Sequence, residues 1–312
     1  MINFRYHVVS LTAVFLALAI GLVVGTAALN GPVADSLKNT VTALRKDNQQ
    51  LRDTVGSLQD EVNREEDFAA EAAPILLNGK LTGRRVLILT MPRGQEHADG
   101  VIEMLRMAGA TVTGRIDMQD KFVNPDSNND LLGLAARSAQ PTVPAAGLPG
   151  NSNGVETSSA QLASALLDRA GTAGEATETD RRAVLTAYST NGYLVIDDKV
   201  TGPADTVVVV SGPSHVDRDS AEKDRAVVTT VAQFDKIAPL VVAGSGAGDG
   251  NVVSAVRTDP ALAKTISTVD NANTSQGQVV TALATIGQVR FGQVGQYGLG
   301  AGAASLMPKL PE

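Results

Sequence analysis

The stretch from Ser36 to Glu66 carries a heptad seam. Leu37, Leu44, Leu51 and Leu58 recur every seven residues and take position d, while Val41, Asn48, Val55 and Val62 take position a. Apolar residues spaced alternately by three and four make the 3.5-residue seam of a left-handed coiled coil. β-Branched Val at a with Leu at d favours two parallel strands. A single Asn at a pairs with its own copy across the seam, which fixes register and strand number at some cost in stability. Asp47 at g reaches Arg52 at e of a partner helix, an opposite-charge pair. Glu61 and Glu66 stand in the same relation as like charges, so the seam weakens toward its C-terminal end. The competing reading is an amphipathic helix packed on its own domain. Four regular heptads with Asn at a favour the paired helix.

Composition narrows the classes of function. The chain of 312 residues has a net charge of -7, so nucleic-acid binding has no electrostatic support. It contains no Cys, which excludes disulfides, thiolate metal sites and Cys nucleophiles. Trp is absent and aromatics make up 3%, so the core must come from Val, Leu, Ile and Ala.

Ahead of the seam, Val8 to Leu29 contains no charged residue over 22 positions. A helix needs ~20 to span a bilayer. A cleaved signal peptide is the alternative, and Gly25-Thr26-Ala27-Ala28 is small enough for a cleavage site. The apolar core of such a peptide is usually ~7–15 residues, which favours an uncleaved anchor. Ala17, Gly21 and Gly25 repeat every four residues, a small-xxx-small face on which two membrane helices approach closely. Positive-inside counting does not decide orientation, because Arg5 on one flank is met by Lys38, Arg45 and Lys46 on the other. A short tail ahead of one long span is the layout of a signal anchor, which places the bulk of the chain outside the cytoplasm.

Asn30-Gly31-Pro32 is expected to break the helix at the membrane surface, with Asp35 or Ser36 capping a new one. Pro74 is expected to end or kink that second helix near Ala73. The expected divisions are a tail and transmembrane anchor over 1–31, a coiled-coil stalk over 32–73, an α/β domain over 80–292 and a flexible tail over 293–312.

From Gly83 the pattern alternates strands and helices. Strands are expected at Arg85–Thr90, Thr111–Ile116, Tyr193–Ile196, Thr206–Val210, Leu240–Ala243 and Ile266–Val269. Helices are expected through Val101–Met107, Asp130–Arg137, Ser158–Leu167, Arg181–Tyr188, Ser220–Ile237 and Gly277–Ile286. Pro144–Thr157 reads as an exposed excursion, and a polar Gly/Thr/Glu loop follows Leu167. The fold class is therefore α/β: a transmembrane helix, a parallel dimeric coiled-coil stalk, then a mainly parallel, Rossmann-like α/β domain.

Two stretches carry a family likeness. One is Phe4-Arg5-Tyr6-His7-Val8-Val9-Ser10-Leu11 running into Phe15-Leu16-Ala17-Leu18-Ala19-Ile20-Gly21. The other is Val269-Asp270-Asn271 with Gln296-Tyr297-Gly298-Leu299-Gly300. With the seam and the α/β domain between them, the chain resembles the actinobacterial MctB family, called copper transporters, and especially its corynebacterial SteB-like branch. The resemblance implies one of two jobs. One is copper efflux or homeostasis in the envelope, with a proposed outer-membrane pore. The other is a division scaffold that joins a membrane partner, SteA, in controlling a cell-wall hydrolase. No cofactor is expected; copper enters through this resemblance alone, and the SteA-like partner likewise.

The residues themselves give no ligand cluster. Cu(I) prefers thiolate and thioether, and Cu(II) imidazole. There are three His, His7, His97 and His215, and the Met104/Met107 pair reads as core packing. A barrel pore needs many ~10-residue alternating strands, which the pattern lacks. No enzyme is expected. Four loops follow expected strands: Arg93–His97, Asp197-Asp198-Lys199, Ser211–His215 and Gly244–Gly250. These are where a parallel sheet gathers ligands. None matches a phosphate-binding or nucleophile-elbow motif, and Ser214 beside His215 makes no dyad by adjacency. Turn-making is the simpler account of all four. The reading is thus a homodimeric, single-pass protein of the cell membrane, rather than of an outer membrane, that binds membrane or envelope proteins and no nucleic acid.

Overall fold

The computed structural model describes residues 4–29, 31–144, 148–168, 176–197 and 199–311. The chain divides into two compact units, Met1–Arg64 and Glu65–Glu312.

The first unit is helical. α1 (Phe4–Leu29) is the one helix among the described residues long and apolar enough to cross a membrane. Its described side chains are exposed throughout. The hydroxyls of Thr12 and Thr26 donate back to the carbonyls of Val8 and Leu22, so neither needs water. A Cβ at Gly21 or Gly25 would have nothing within 4 Å, so the small-residue face is open. Asn30 lies outside the described residues. α2 (Pro32–Leu77) begins on Pro32, where a missing N–H does no harm. The expected cap at Asp35 or Ser36 is corrected. Both lie inside α2, and Asp35 sets a negative charge on the helix's first turn.

The second unit opens with the last turns of α2, where Ala69, Ala73 and Leu77 are buried. Pro74 does not end the helix, which runs on to Leu77. The buried Leu77 anchors the last turn, and the Asn78 N–H donates to the Pro74 carbonyl at 3.2 Å. There follow β1 (Arg85–Thr90), α3 (Gln95–Met107), β2 (Thr111–Met118), α4 (Asp120–Val123), α5 (Asn128–Ser138), α6 (Gly154–Leu166), α7 (Glu178–Thr190) and β3 (Leu194–Ile196). The rest are β4 (Thr206–Ser211), α8 (Ser220–Asp235), β5 (Leu240–Gly244), α9 (Val252–Thr258), β6 (Ile266–Val269), α10 (Ser275–Phe291) and β7 (Gln296–Tyr297).

The seven strands form one sheet in the order β3-β2-β1-β4-β5-β6-β7. All its pairings are parallel except β2 with β3. β1, β4 and β5 are nearly continuous apolar runs because both faces are covered there. Leu87, Leu89, Val207 and Val209 enter a core shared with α4 to α9. Val86, Ile88, Val208 and Val210 enter the opposite core, with α3, α10 and the end of α2. This is the alternation that a period of two residues imposes on a strand.

Two further expectations are corrected. α6 starts at Gly154, inside the expected excursion. Asn153 caps it by accepting the Glu156 N–H at 2.8 Å, and Gly154 packs so closely that a Cβ would lie 1.9 Å from the Asn128 carbonyl oxygen. Residues 145–147 of that excursion and 169–175 of the later polar loop lie outside the described residues. The segment from Gln293, expected as a flexible tail, instead supplies β7, buries Tyr297 and packs Leu310 on the core.

Candidate functional site

Strand order reverses between β1 and β4, which makes the carboxyl ends of these two strands the switch point of the sheet. Three of the four loops singled out in the sequence meet there. Arg93 donates from Nη1 to the Ser214 carbonyl at 2.6 Å. Asn251 donates from Nδ2 to the Gly212 carbonyl at 3.2 Å, and the Ser245 N–H donates to the Ser211 carbonyl at 3.3 Å. Arg93 takes φ 68°, left-handed, alone among the described non-glycine residues. A Cβ on Gly94 would stand 2.6 Å from the Val210 carbonyl oxygen, and one on Gly212 would stand 2.1 Å from that of Arg93. The loops after β1 and β4 thus close on each other backbone to backbone.

The fourth loop does not join them. β3 runs antiparallel to β2, so its end leads away from the carboxyl ends of the parallel strands. Asp197 there is an ion-pair partner of Arg115 at 3.2 Å, beside Asp117 and Asp99. Asp198 lies outside the described residues. Lys199 lines a separate groove with Glu178, Arg181 and Leu185 of α7.

His215 is the chemically distinctive residue at the convergent edge. Its side chain is 8% exposed. Nδ1 lies 2.7 Å from Asp224 Oδ1 on α8, and the His215 backbone N–H donates to the same oxygen at 3.1 Å. Asp224 in turn presses on the Gly244–Gly250 loop: a Cβ on Gly250 would lie 2.7 Å from its Oδ2, and Gly250 has a φ of +77°. Among the described residues Nε2 is buried without a hydrogen-bond partner, and it faces Asp120 Oδ1 of α4 at 3.8 Å. Nearby, the hydrogen bond from Lys223 holds the Asp217 carboxyl below its ordinary range. Sequence reasoning named His215 but neither aspartate, because nothing local marks Asp120 or Asp224 as its neighbour. Ser214 is no dyad partner; its carbonyl serves Arg93.

The other sulfur and imidazole groups are dispersed. His7 lies on α1, exposed. His97 faces its neighbour Glu96, with Nε2 and Oε1 3.3 Å apart. Met104 and Met118 are buried, and Met107 packs on the same core as Met104. Among the described residues no three His, Cys, Asp or Glu side chains group closely enough to hold a metal ion.

The seam residues of α2 are exposed. Leu37, Val41, Leu44, Leu51, Val55, Leu58 and Val62 are between 39% and 65% exposed. Asn48 is exposed too, and its Nδ2 donates to the Leu44 carbonyl one turn back, at 3.3 Å. The seam has no room to continue along the next turns, because Ala69, the next position a, is buried in the α/β unit.

Comparison with known proteins agrees along nearly the whole length. The family model described as "Copper transport outer membrane protein, MctB" matches residues 1–308. Proteins named "Copper transporter MctB" from Mycobacterium tuberculosis (strain H37Rv) and Mycobacterium bovis are each 31% identical over 324 residues, covering 98% of this chain and 99% of theirs. The protein of the same name from Mycobacterium leprae is 28% identical over 336 residues, with the same coverage. The two stretches that carried the resemblance fall within these matches, and the chain belongs to the MctB family.

Proposed function

We propose that this protein is a single-pass, membrane-anchored homodimer that serves copper homeostasis in the cell envelope, its α/β units acting as binding heads for protein partners outside the cytoplasm. The observation that carries the reading is the unpartnered seam from Leu37 to Val62. Seven aliphatic side chains in heptad register, left in water, are satisfied by a second copy of the same helix. The open Gly21 and Gly25 face of α1 supports the same pairing inside a bilayer.

Copper enters through the relatives, which are named for copper transport and not for cell division. That ranks the copper reading above the division scaffold. The described strands are two to eight residues long and lie in one open sheet whose central strands are buried on both faces, which supports an anchored head over a membrane barrel. The switch point is filled by the chain's own backbone at Gly94 and Gly212, which supports a binding rather than a catalytic head.

A deletion strain tests the reading. The expected result is altered copper content and tolerance, restored by the intact gene and not by one carrying Leu44→Asp and Leu51→Asp. Unchanged copper content removes the copper role. Full rescue by the seam variant removes the dimer.

A further inference from the structure

We infer that His215 and Asp120 form a binding site for one divalent transition-metal ion of the Cu(II) or Zn(II) kind, with the imidazole on its buried side and the exposed carboxylate on its outer side. Three features of the geometry point to it.

The first is the state of the imidazole. Nδ1 sits 2.7 Å from Asp224 Oδ1, an oxygen that already accepts the His215 backbone N–H. The carboxylate there accepts a hydrogen bond from Nδ1–H, and in the neutral tautomer that this contact selects Nε2 carries the lone pair, which is the arrangement that orients metal-binding histidines. Asp224 is itself 14% exposed and held against Gly250, so the imidazole is fixed from behind.

The second is that Nε2 is buried and has no hydrogen-bond partner among the described residues. A buried polar nitrogen without a partner is costly, of the order of 1–3 kcal/mol, and calls for a ligand.

The third is the spacing to Asp120. At 3.8 Å, Nε2 and Oδ1 are too far apart for a hydrogen bond, which closes at ~2.7–3.2 Å. Two atoms bound tetrahedrally to one ion at ~2.0–2.2 Å each stand about 3.4 Å apart. Asp120 is 75% exposed, so its carboxylate is free to move the remaining few tenths of an ångström. The surrounding charge is mixed: Asp217 and Asp219 stand with Lys223, whose ammonium pairs with Asp217 and also interacts with Asp120, so an ion at Asp120 competes with that ammonium. Imidazole with carboxylate suits Zn(II) and Cu(II) in preference to Ca(II) or Mg(II).

Two protein ligands leave the other positions to water, since no third His, Asp, Glu or Cys joins them among the described residues. Such a site is exchangeable rather than structural. It stands on its own geometry and does not need the copper role proposed above.

The test uses the full chain in detergent, dialysed against Cu(II) or Zn(II) with a competing chelator, the bound metal then being counted. Wild type is expected to hold one ion per chain. Asp120→Asn, a change at an exposed carboxylate, weakens that binding about tenfold or more. Asp219→Asn, which removes the same charge nearby, leaves it within about twofold. His215→Gln abolishes it, and the nitrogen coupling in the Cu(II) electron paramagnetic resonance spectrum is lost with it. Equal affinity in wild type and Asp120→Asn, or equal loss in Asp120→Asn and Asp219→Asn, overturns the site. No bound ion in wild type overturns it too. Because Asp120→Asn spares the His215–Asp224 pair, the outcome stands even if His215→Gln does not fold.

Discussion

Arg257 and Asp270 meet at 2.8 Å, Nη1 to Oδ2, with side chains only 3% and 2% exposed. Each is fully engaged. Arg257 also donates to the Thr268 hydroxyl and to the carbonyls of Tyr297 and Ala301. Asp270 also accepts the N–H groups of Leu299 at 2.8 Å and Gly300 at 2.8 Å. The pair therefore ties the C-terminal segment to the end of β6. Removing one member of a buried pair strands the other, at a cost of about 3–5 kcal/mol. Asp270→Ala is expected to lower the unfolding midpoint of the full chain and to open the 298–303 segment to limited proteolysis. Wild-type protease resistance in the variant would show that β7 alone holds this segment.

A second prediction concerns the crossing of the loops after β1 and β4. Gly212 has no space for a side chain, because its Cβ would stand 2.1 Å from the Arg93 carbonyl oxygen. The neighbour is backbone, in a residue already held left-handed at φ 68°, so it gives way poorly. Gly212→Ala is expected to cost about 1–3 kcal/mol by overpacking. Gly248→Ala, where nothing lies within 4 Å of the added Cβ, is the matched control and stays near wild type. Chemical denaturation of both variants decides it, and equal midpoints would sink the account.

Most of this fold was legible because its strands are buried on both faces. Val86 to Leu89 and Val207 to Val210 announce themselves as unbroken β-branched and aliphatic runs. β7 was not legible: two residues, Gln296 and Tyr297, set among glycines give no run to read. The direction of β3 was hidden too, since strand direction follows from the path of the chain through α5, α6 and α7 rather than from Leu194-Val195-Ile196 itself. That is why Asp197 was grouped with loops it does not join. The candidate site was half visible. His215 stood out as one of three histidines, whereas Asp120 and Asp224 are ordinary surface-pattern aspartates until tertiary structure turns them toward it. The family stretches around Asp270 and Leu299 were visible only as words. In the structure they are the two sides of one hydrogen-bonded contact.

The pH dependence of stability carries one clear sign. Burial raises the Asp235 carboxyl above its ordinary range, against the opposing effect of the Thr265 hydroxyl, which donates to Oδ2 at 2.7 Å. A raised folded pKa means that the folded chain holds this proton more tightly than the unfolded chain. Stability from this group is therefore highest below the unfolded value near 3.8 and falls as pH rises through the folded value. Asp235→Asn keeps an oxygen for Thr265 and removes the buried charge. Its expected thermal midpoint is at or above wild type at neutral pH, with the difference closing in acid. A variant less stable at neutral pH than in acid, relative to wild type, would reverse the sign and refute the burial argument.

Asn48 is the residue that separates a specific pair from a merely sticky helix. It lies at position a between Leu44 and Leu51, and among the described residues its amide bonds the Leu44 carbonyl of its own helix at 3.3 Å. In a parallel pair each Asn48 gains its copy as a partner, and any shifted or antiparallel pairing buries the amide against aliphatic side chains. Two outcomes are expected for Asn48→Leu. The seam becomes more stable, because a polar residue leaves it. It also becomes less particular, so species larger than two chains accompany the dimer. Leu44→Asp, by contrast, places a charge in the seam and shifts the full chain toward monomer. Light scattering in detergent, with cross-linking in membranes, reads all three proteins. If Asn48→Leu and Leu44→Asp both behave as wild type, the seam is not an interface, and the heptads from Leu37 to Val62 need another explanation.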